Sequence, residues 1–94
     1  MKLLMALVDE SCKEELEVLL TRAGVSGFTE IPRAAGMGTS GPRLGSAAFP
    51  KTSAIVLTFV EDADVARVAA AIRAGCPAEG RLRLVAWGVE SLVA

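Results

Sequence analysis

The order of strand-like and helix-like segments is the feature that most constrains the fold of this 94-residue chain. Residues 2–8 and 53–60 are continuous apolar runs of strand length, the second rich in β-branched types. Residues 28–35 and 81–87 are also predicted as strands. One helical segment lies between the first and second strands and another between the third and fourth, so the order is βαββαβ. This order predicts an α+β, ferredoxin-like fold, with a four-stranded antiparallel sheet and two helices on one face.

The two helices are identified from their apolar spacing and from the residues at their ends. In the first, apolar residues recur at the helical period from Leu16 onward, and Gly24 ends the helix. Ser11 and Glu14 have the spacing of a capping box, so Ser11 is expected to accept a backbone hydrogen bond at the helix start. The second helix follows the same period over residues 65–72.

Composition narrows the classes of function. The ten basic and eleven acidic residues are scattered and give a net charge of −1. Because no cluster of Lys and Arg exists to neutralise phosphates, we expect no nucleic-acid partner. No apolar stretch reaches the roughly eighteen residues that a membrane span requires. We therefore expect a single cytoplasmic domain over residues 1–94 that is not embedded in a membrane.

The residues that usually perform catalysis or bind metals are few. The chain has no histidine, and its two cysteines, Cys12 and Cys76, belong to no CxxC pair. We expect both thiols to be inert; the alternative is that they bind a soft ion such as Cu(I) together with Met37. The glutamates of the first helix, Glu10, Glu14, Glu15 and Glu17, are interpreted as a solvated face. No catalytic residue and no enzyme activity are predicted.

One face of the predicted sheet lacks a cover. Residues 3–8 and 54–57 are apolar at both alternating positions, although a face without helices is normally polar. Each such side chain left in water forgoes roughly 1.5–3 kcal/mol. Six to eight of them together approach the whole stability of a small domain, about 5–15 kcal/mol. We therefore expect this face to be buried against other copies of the chain.

A loop of residues 36–52, which contains four glycines, joins the second and third strands. Loops of this length in compact domains usually bind something or stay disordered. Glycine N–H groups with the hydroxyls of Thr39 and Ser40 would form an anion-binding nest. The alternative is a flexible crossover that needs glycine for its turns. Arg43 and Arg81 are the candidate phosphate cations, or else solvated surface residues.

With this element order, loop and uncovered face, the chain resembles the PII signal-transduction proteins over almost its whole length. Gly27-Phe28-Thr29 is similar to the Gly-x-Thr of that family's nucleotide pocket. Gly36-Met37-Gly38 is similar to the Gly-x-Gly that opens its T-loop. Glu79-Gly80-Arg81 resembles the Asp-Gly-Lys of its B-loop, and Val89-Glu90 resembles the end of its fourth strand.

The resemblance implies a homotrimer with ligand clefts between subunits. An adenine nucleotide (ATP, ADP or AMP) is the implied effector, and the T-loop, about residues 36–52, is the implied contact for a protein partner such as an enzyme or a membrane transporter. The implied ligand-binding residues are Gly27, Phe28, Thr29, Gly36, Met37, Gly38, Thr39, Gly80 and Arg81. The implied partner-binding loop residues are Ser40, Gly41, Pro42, Arg43 and Leu44. The implied pocket combines residues 27–29 and 36–38 of one subunit with Gly80 and Arg81 of that subunit or of its neighbour.

The chain departs from the family pattern in ways that bear on function. It has no tyrosine, so uridylylation of a T-loop tyrosine is excluded. Thr39-Ser40-Gly41 stands where the family has Arg-Gln-Lys, and we expect no counterpart of its paired phosphate-binding arginines. The alternative function is a metal-binding or metal-responsive trimer, similar to copper-tolerance relatives of the same fold. A small enzyme on this fold is a third hypothesis.

Overall fold

The computed structural model describes residues 1–39, 41–76 and 81–93. Its elements are β1 (Lys2–Asp9), α1 (Lys13–Arg22), β2 (Thr29–Ala34), β3 (Gly36–Gly38), β4 (Gly41–Arg43), β5 (Ser53–Val60), α2 (Val65–Gly75) and β6 (Arg83–Gly88). Single 3-10 turns, Glu10–Cys12 and Asp62–Asp64, precede the two helices.

The main sheet has the strand order β2-β5-β1-β6, and every neighbouring pair is antiparallel. At its centre, β1 pairs with β5 on one side and β6 on the other, so that Leu4 faces both Thr58 and Ala86. The ferredoxin-like βαββαβ prediction is confirmed. The remaining strands, β3 and β4, form a separate two-stranded ribbon, which the sequence analysis did not predict.

The core lies between the two helices and the sheet face that they cover. Alternate residues of β1 and β5 point into it because side chains of a strand alternate between faces. Leu16 and Leu20 of α1, and Val68 and Ile72 of α2, meet them at the helical period. The buried strand residues are Leu4, Ala6, Val8, Ala54, Val56, Thr58 and Val60.

The start of α1 differs from the capping-box prediction. The carboxylate of Asp9 accepts hydrogen bonds from the backbone N–H of Ser11, at 3.1 Å, and from the Ser11 hydroxyl. The α-helix itself begins at Lys13, and Cys12 at its N-cap position makes no side-chain capping bond. The prediction that Ser11 caps the helix is wrong because a 3-10 turn, capped by Asp9, comes first.

The end of α1 follows the prediction. Gly24 has φ of +81°, a conformation that glycine adopts without steric cost. The N–H of Val25 donates to Leu20 O and that of Gly24 to Thr21 O, both at 3.1 Å. These two bonds satisfy carbonyls that the end of the helix leaves unpaired, so Gly24 ends the helix as expected.

The opposite face of the sheet, here called the outer sheet face, carries no helix. Leu3 lies between Phe59 and Trp87 in the strand register, and these two aromatic side chains are 63% and 44% exposed. The apolar residues that share this face are Leu3, Met5, Leu7, Ile31, Ile55, Leu57, Phe59, Val85 and Trp87. The prediction of an uncovered apolar face is confirmed for the single chain, and its burial against other copies stays a prediction.

Candidate functional site

A cleft of about 590 Å³ lies at the end of the sheet where β1 ends and β5 begins. The β3–β4 ribbon forms one wall, and the residues that lead into β6 form another. The lining residues are Leu7, Val8, Asp9, Ala34, Ala35, Gly36, Met37, Gly38, Thr39, Arg43, Ser53, Ile55, Arg81 and Arg83.

The β3–β4 ribbon is a short hairpin built from the Gly-rich loop. Gly36 pairs with Arg43, Met37 with Pro42, and Gly38 with Gly41. Gly41 has φ of +100°, which strains any residue with a side chain. The sequence predicts a loop here because three-residue strands rich in glycine and proline have no recognisable apolar period. Ser40, at the hairpin tip, lies outside the described residues.

Arg43 fastens this hairpin to the sheet. Its guanidinium forms an ion pair with the Asp9 carboxylate, and these side chains are only 12% and 15% exposed. Its Nε donates to Ser53 Oγ at 3.2 Å, and its Nη2 donates to Thr52 O at 3.0 Å. Arg43, considered from the sequence as a phosphate cation, a solvated residue or part of the partner-binding loop, is therefore largely buried and lines the cleft.

Glu10 makes a second set of contacts beside the cleft. Its carboxylate accepts from Thr52 Oγ1 at 2.6 Å, from the Arg33 N–H at 2.8 Å and from Lys13 Nζ at 3.3 Å. These donors, with the Thr52 hydroxyl first, lower the pKa of Glu10. The Arg33 bond holds a residue with φ of +53°, an uncommon backbone conformation outside glycine. The interpretation of Glu10 as part of a solvated helix face is wrong.

Glu17 also interacts more closely than a solvated glutamate would. A hydrogen bond with the Glu30 carboxyl raises the pKa of Glu17, and burial and charge repulsion add to this. Lys13 Nζ lies 3.6 Å from Glu30 and completes the cluster. Because β2 brings Glu30 beside α1, this contact depends on the tertiary fold and has no signal in the local sequence.

Two further arginines make the cleft positive. Arg81 and Arg83 both line it and are both exposed. Within residues 1–39, 41–76 and 81–93, neither forms an ion pair. Arg81 was predicted from the sequence, whereas Arg83, which lies opposite Leu7 on the outer sheet face, was not. Gly80, predicted to bind the ligand with Arg81, lies outside the described residues.

Gly27, Phe28 and Thr29 lie near the other end of β2. Thr29 pairs with Leu57, and Gly27 O accepts from the Thr58 hydroxyl at 2.5 Å. Thr29 and Ala34 pair with Leu57 and Ser53, so they lie four residue steps of β5, roughly 13 Å, apart. The described lining of the cleft contains residues 36–38 but not residues 27–29 of the same subunit, and the combination of the two groups in one pocket stays a prediction.

The remaining predicted loop residues and the thiols are distributed as follows. Leu44 is exposed, and its N–H donates to Phe49 O at 3.3 Å. The candidate soft-ion ligands differ in exposure. Cys12 is buried, whereas Met37 on the hairpin is 78% exposed. Partial burial raises the pKa of the Cys76 thiol. In the part of the chain that the structure describes, no three His, Cys, Asp or Glu residues are arranged to hold a metal ion. Nor does this part contain a helix long and apolar enough to span a membrane.

Comparisons with known proteins point to one family. The family model described as nitrogen regulatory protein P-II matches residues 1–82. A structure of CPII, a nitrogen regulatory PII-like protein from Thiomonas intermedia bound to ADP, AMP and bicarbonate, is 22% identical, with a TM-score of 0.69, and covers 94% of this chain and 86% of its own. CPII bound to ADP and bicarbonate, from the same organism, is 21% identical, with a TM-score of 0.76 and coverages of 92% and 82%. No curated protein matches the chain. The structural likenesses support the fold described above.

Proposed function

The chain belongs to the nitrogen regulatory protein P-II family, and we propose that it is a non-enzymatic, cytoplasmic homotrimer that binds an adenine nucleotide between subunits. Through the hairpin and the residues up to Thr52, it then controls a protein partner such as a membrane transporter or an enzyme. The observation that carries this proposal is the positive cleft beside the Gly-rich hairpin, where Arg81 and Arg83 line the same space as Gly36 and Gly38.

The chemistry of this cleft suits a phosphorylated ligand. Arginine binds oxyanions through two parallel N–H groups, and glycine lets the backbone come close to a phosphate. Thr39 adds a hydroxyl to the same wall. Asp9 is neutralised by Arg43, so the charges of Arg81 and Arg83 set the sign of the potential in the cleft.

The outer sheet face supports the trimeric arrangement. Burying Phe59, Trp87 and their apolar neighbours against other copies removes a large area from water, which strongly favours association. In such an assembly, a neighbouring copy would bring its Gly27, Phe28 and Thr29 to the cleft. This arrangement lets both predicted groups of ligand residues contact one nucleotide, although the cleft of a single chain is lined by only one of them.

The ligands of the relatives suggest what the effector is. The two CPII structures contain ADP with bicarbonate, and one of them also contains AMP. We propose the same classes here, an adenine nucleotide accompanied by a small oxyanion. A ligand shifts the hairpin between conformations only by its difference in affinity for them, so control of a partner requires tighter nucleotide binding to one hairpin state.

Titration calorimetry tests the nucleotide proposal directly. We expect ATP, ADP or AMP to bind, at one site per subunit, and Arg83→Gln to weaken binding by about tenfold because a charge-assisted contact is lost. Arg73→Gln, which removes an exposed arginine from α2, is the matched control and should bind as the natural chain does. Absence of heat with all three nucleotides refutes the nucleotide proposal.

Light scattering with size-exclusion chromatography tests the assembly. We expect the mass of three chains at micromolar concentration, and a stable monomer would remove the clefts between subunits. No specific observation favours the metal-responsive alternative, since Met37 lies on the exposed hairpin whereas Cys12 is buried at the start of α1. Uptake of Cu or Zn that is lost in Cys12→Ser would revive that alternative.

A further inference from the structure

Asp9 carries the only carboxylate among the described residues that line the cleft. It lies at the end of β1, where its carboxylate forms the ion pair with Arg43 and accepts from the N–H and hydroxyl of Ser11. While this ion pair holds, the charge of Asp9 cancels that of Arg43, and the Asp9 carboxylate occupies a position on Arg43 where an anionic ligand would bind. Its position therefore bears on how the effector binds.

The guanidinium of Arg43 has two contacts that do not involve Asp9. Ser53 Oγ accepts from Nε, and Thr52 O accepts from Nη2. A guanidinium carries five N–H donors in a fixed plane. Asp9 contacts the same Nη2 that donates to Thr52 O. Since Ser53 and Thr52 hold the guanidinium plane in place, Arg43 keeps its orientation when the carboxylate at Nη2 is exchanged for another anion.

We propose that Asp9 is an internal competitor for the effector's oxyanion, and that a small planar oxyanion, a carboxylate or bicarbonate, replaces it on Arg43. The Asp9 carboxylate is itself a planar O–C–O group, so the position that it occupies fits ligands of the same shape. Arg81 and Arg83, which line the same cleft, attract the incoming anion. The inference rests on the proposed function in taking this cleft as the effector site.

Exchange at Arg43 connects ligand binding to the hairpin. Arg43 belongs to β4 and Asp9 to β1, so their ion pair is a direct link between hairpin and sheet. Replacing Asp9 breaks this link to β1, whereas the Arg43–Ser53 bond to β5 and the bond between Glu10 and Thr52 remain. Anion binding therefore weakens the affinity for any partner that prefers the hairpin with the Asp9–Arg43 pair formed. By reciprocity, such a partner weakens anion binding by the same factor.

Asp9→Asn separates the charge of Asp9 from its capping role, because the amide oxygen still accepts from the Ser11 N–H. The probes are bicarbonate and acetate, each titrated at fixed pH and ionic strength against chloride and followed by the backbone amide resonances of Gly36, Gly38 and Gly41. We expect Asp9→Asn to bind either probe about tenfold more tightly. This factor corresponds to a natural chain in which Asp9 occupies Arg43 in about nine-tenths of the molecules. Asp62→Asn is the matched control: Asp62 pairs with the terminal ammonium of Met1, at 2.8 Å, beyond the far end of β5, and its loss should leave affinity unchanged.

Arg43→Gln completes the test, since it removes the fork but keeps a side chain able to hydrogen-bond near Ser53. We expect the bicarbonate response of the hairpin glycines to disappear in this variant. An affinity in Asp9→Asn equal to or weaker than that of the natural chain overturns the inference, as does an unchanged response in Arg43→Gln or no response in any variant. Nucleotide calorimetry is scored separately: tighter bicarbonate binding without nucleotide binding would sustain the exchange and refute the nucleotide proposal. Nucleotide binding without the Asp9 effect would do the reverse.

Discussion

The helix-covered core and the hairpin end of the sheet are held together by different forces. In the core, Leu16, Leu20 and Ile72 pack against alternate strand residues, and the contacts are almost entirely apolar. At the hairpin end, Asp9, Glu10 and their hydrogen-bonding partners provide the connections. Apolar packing depends on area and is non-directional, whereas these polar contacts depend on a few specific atoms. The hairpin end is therefore the region where a ligand can exchange one contact for another.

The largest expected effect comes from breaking the core. Leu16 is fully buried between α1 and the sheet, so Leu16→Ala should lower the free energy of unfolding by about 2–5 kcal/mol through lost burial and the cavity left behind. Chemical denaturation followed by circular dichroism measures this. Val18→Ala, at an exposed position of the same helix, is the control and should change stability far less. Equal effects of the two changes would contradict the assignment of the core.

A substitution on the outer sheet face tests whether apolar packing also holds copies of the chain together. Phe59→Asp places a charge among apolar residues that the proposed trimer buries, and an unpaired buried charge is costly. We expect sedimentation to show dissociation to monomers that retain their secondary structure, since Phe59 lies on the face away from the core. Val18→Asp, a charge on the exposed side of α1, should leave the assembly intact. A trimer that persists in Phe59→Asp would mean that copies meet elsewhere.

A smaller effect is expected at the one buried polar side chain described within the core. Thr58 donates its hydroxyl to Gly27 O at 2.5 Å, so it is a directional contact inside the apolar region. Thr58→Val keeps the shape and removes the donor, and we expect a loss of about 1 kcal/mol. Thr58→Ser keeps the donor and serves as the control. If the Thr58→Val variant is as stable as the natural chain in thermal unfolding, this hydrogen bond makes no net contribution to the stability of the fold.

The smallest effect concerns Glu10 and depends on pH. The pKa of Glu10 in the folded chain is lowered from its usual 4.5. The stabilisation of the fold by the ionised Glu10 carboxylate is therefore present above pH 4.5 and is lost as the pH falls through the lowered pKa. Below pH 4.5 the unfolding free energy of the natural chain should therefore fall more steeply than that of Glu10→Gln. Glu14→Gln, an exposed carboxyl on α1, should keep the natural slope. Parallel curves for the natural chain and Glu10→Gln would show that the contacts of Glu10 add no stability.

The fold was largely predictable because its signals are local. The apolar run of residues 53–60 coincides with β5, and the helical period from Leu16 describes the buried side of α1. The capping of α1 was not predictable from the Ser11–Glu14 spacing, because the Asp9 carboxylate, two residues before Ser11, accepts the hydrogen bonds instead. The hairpin gave no periodic signal, and its pairing shows only in the folded chain.

The candidate site was predicted in part. Gly36, Met37, Gly38 and Arg81 were selected from their likeness to family motifs and Thr39 for its hydroxyl, and all five line the cleft. Arg83 was missed because a single arginine on a strand has no motif, and only the register of β6 against β1 places it there. Arg43 was considered as a phosphate cation or a solvated surface residue, but its anchoring contacts were not predicted, since those with Asp9 and Ser53 join residues distant in the chain.

The sequence by itself determined the order of elements, the two apolar faces of the sheet and the family to which the chain belongs. These properties depend on side-chain type and on periods of two and 3.6 residues, which a linear pattern contains. The tertiary structure decided which charges meet: Asp9 with Arg43, Glu10 with Thr52 and Arg33, and Arg83 with the cleft. Such contacts join residues far apart in the chain and require distances of a few ångströms, so only the folded arrangement of strands selects them.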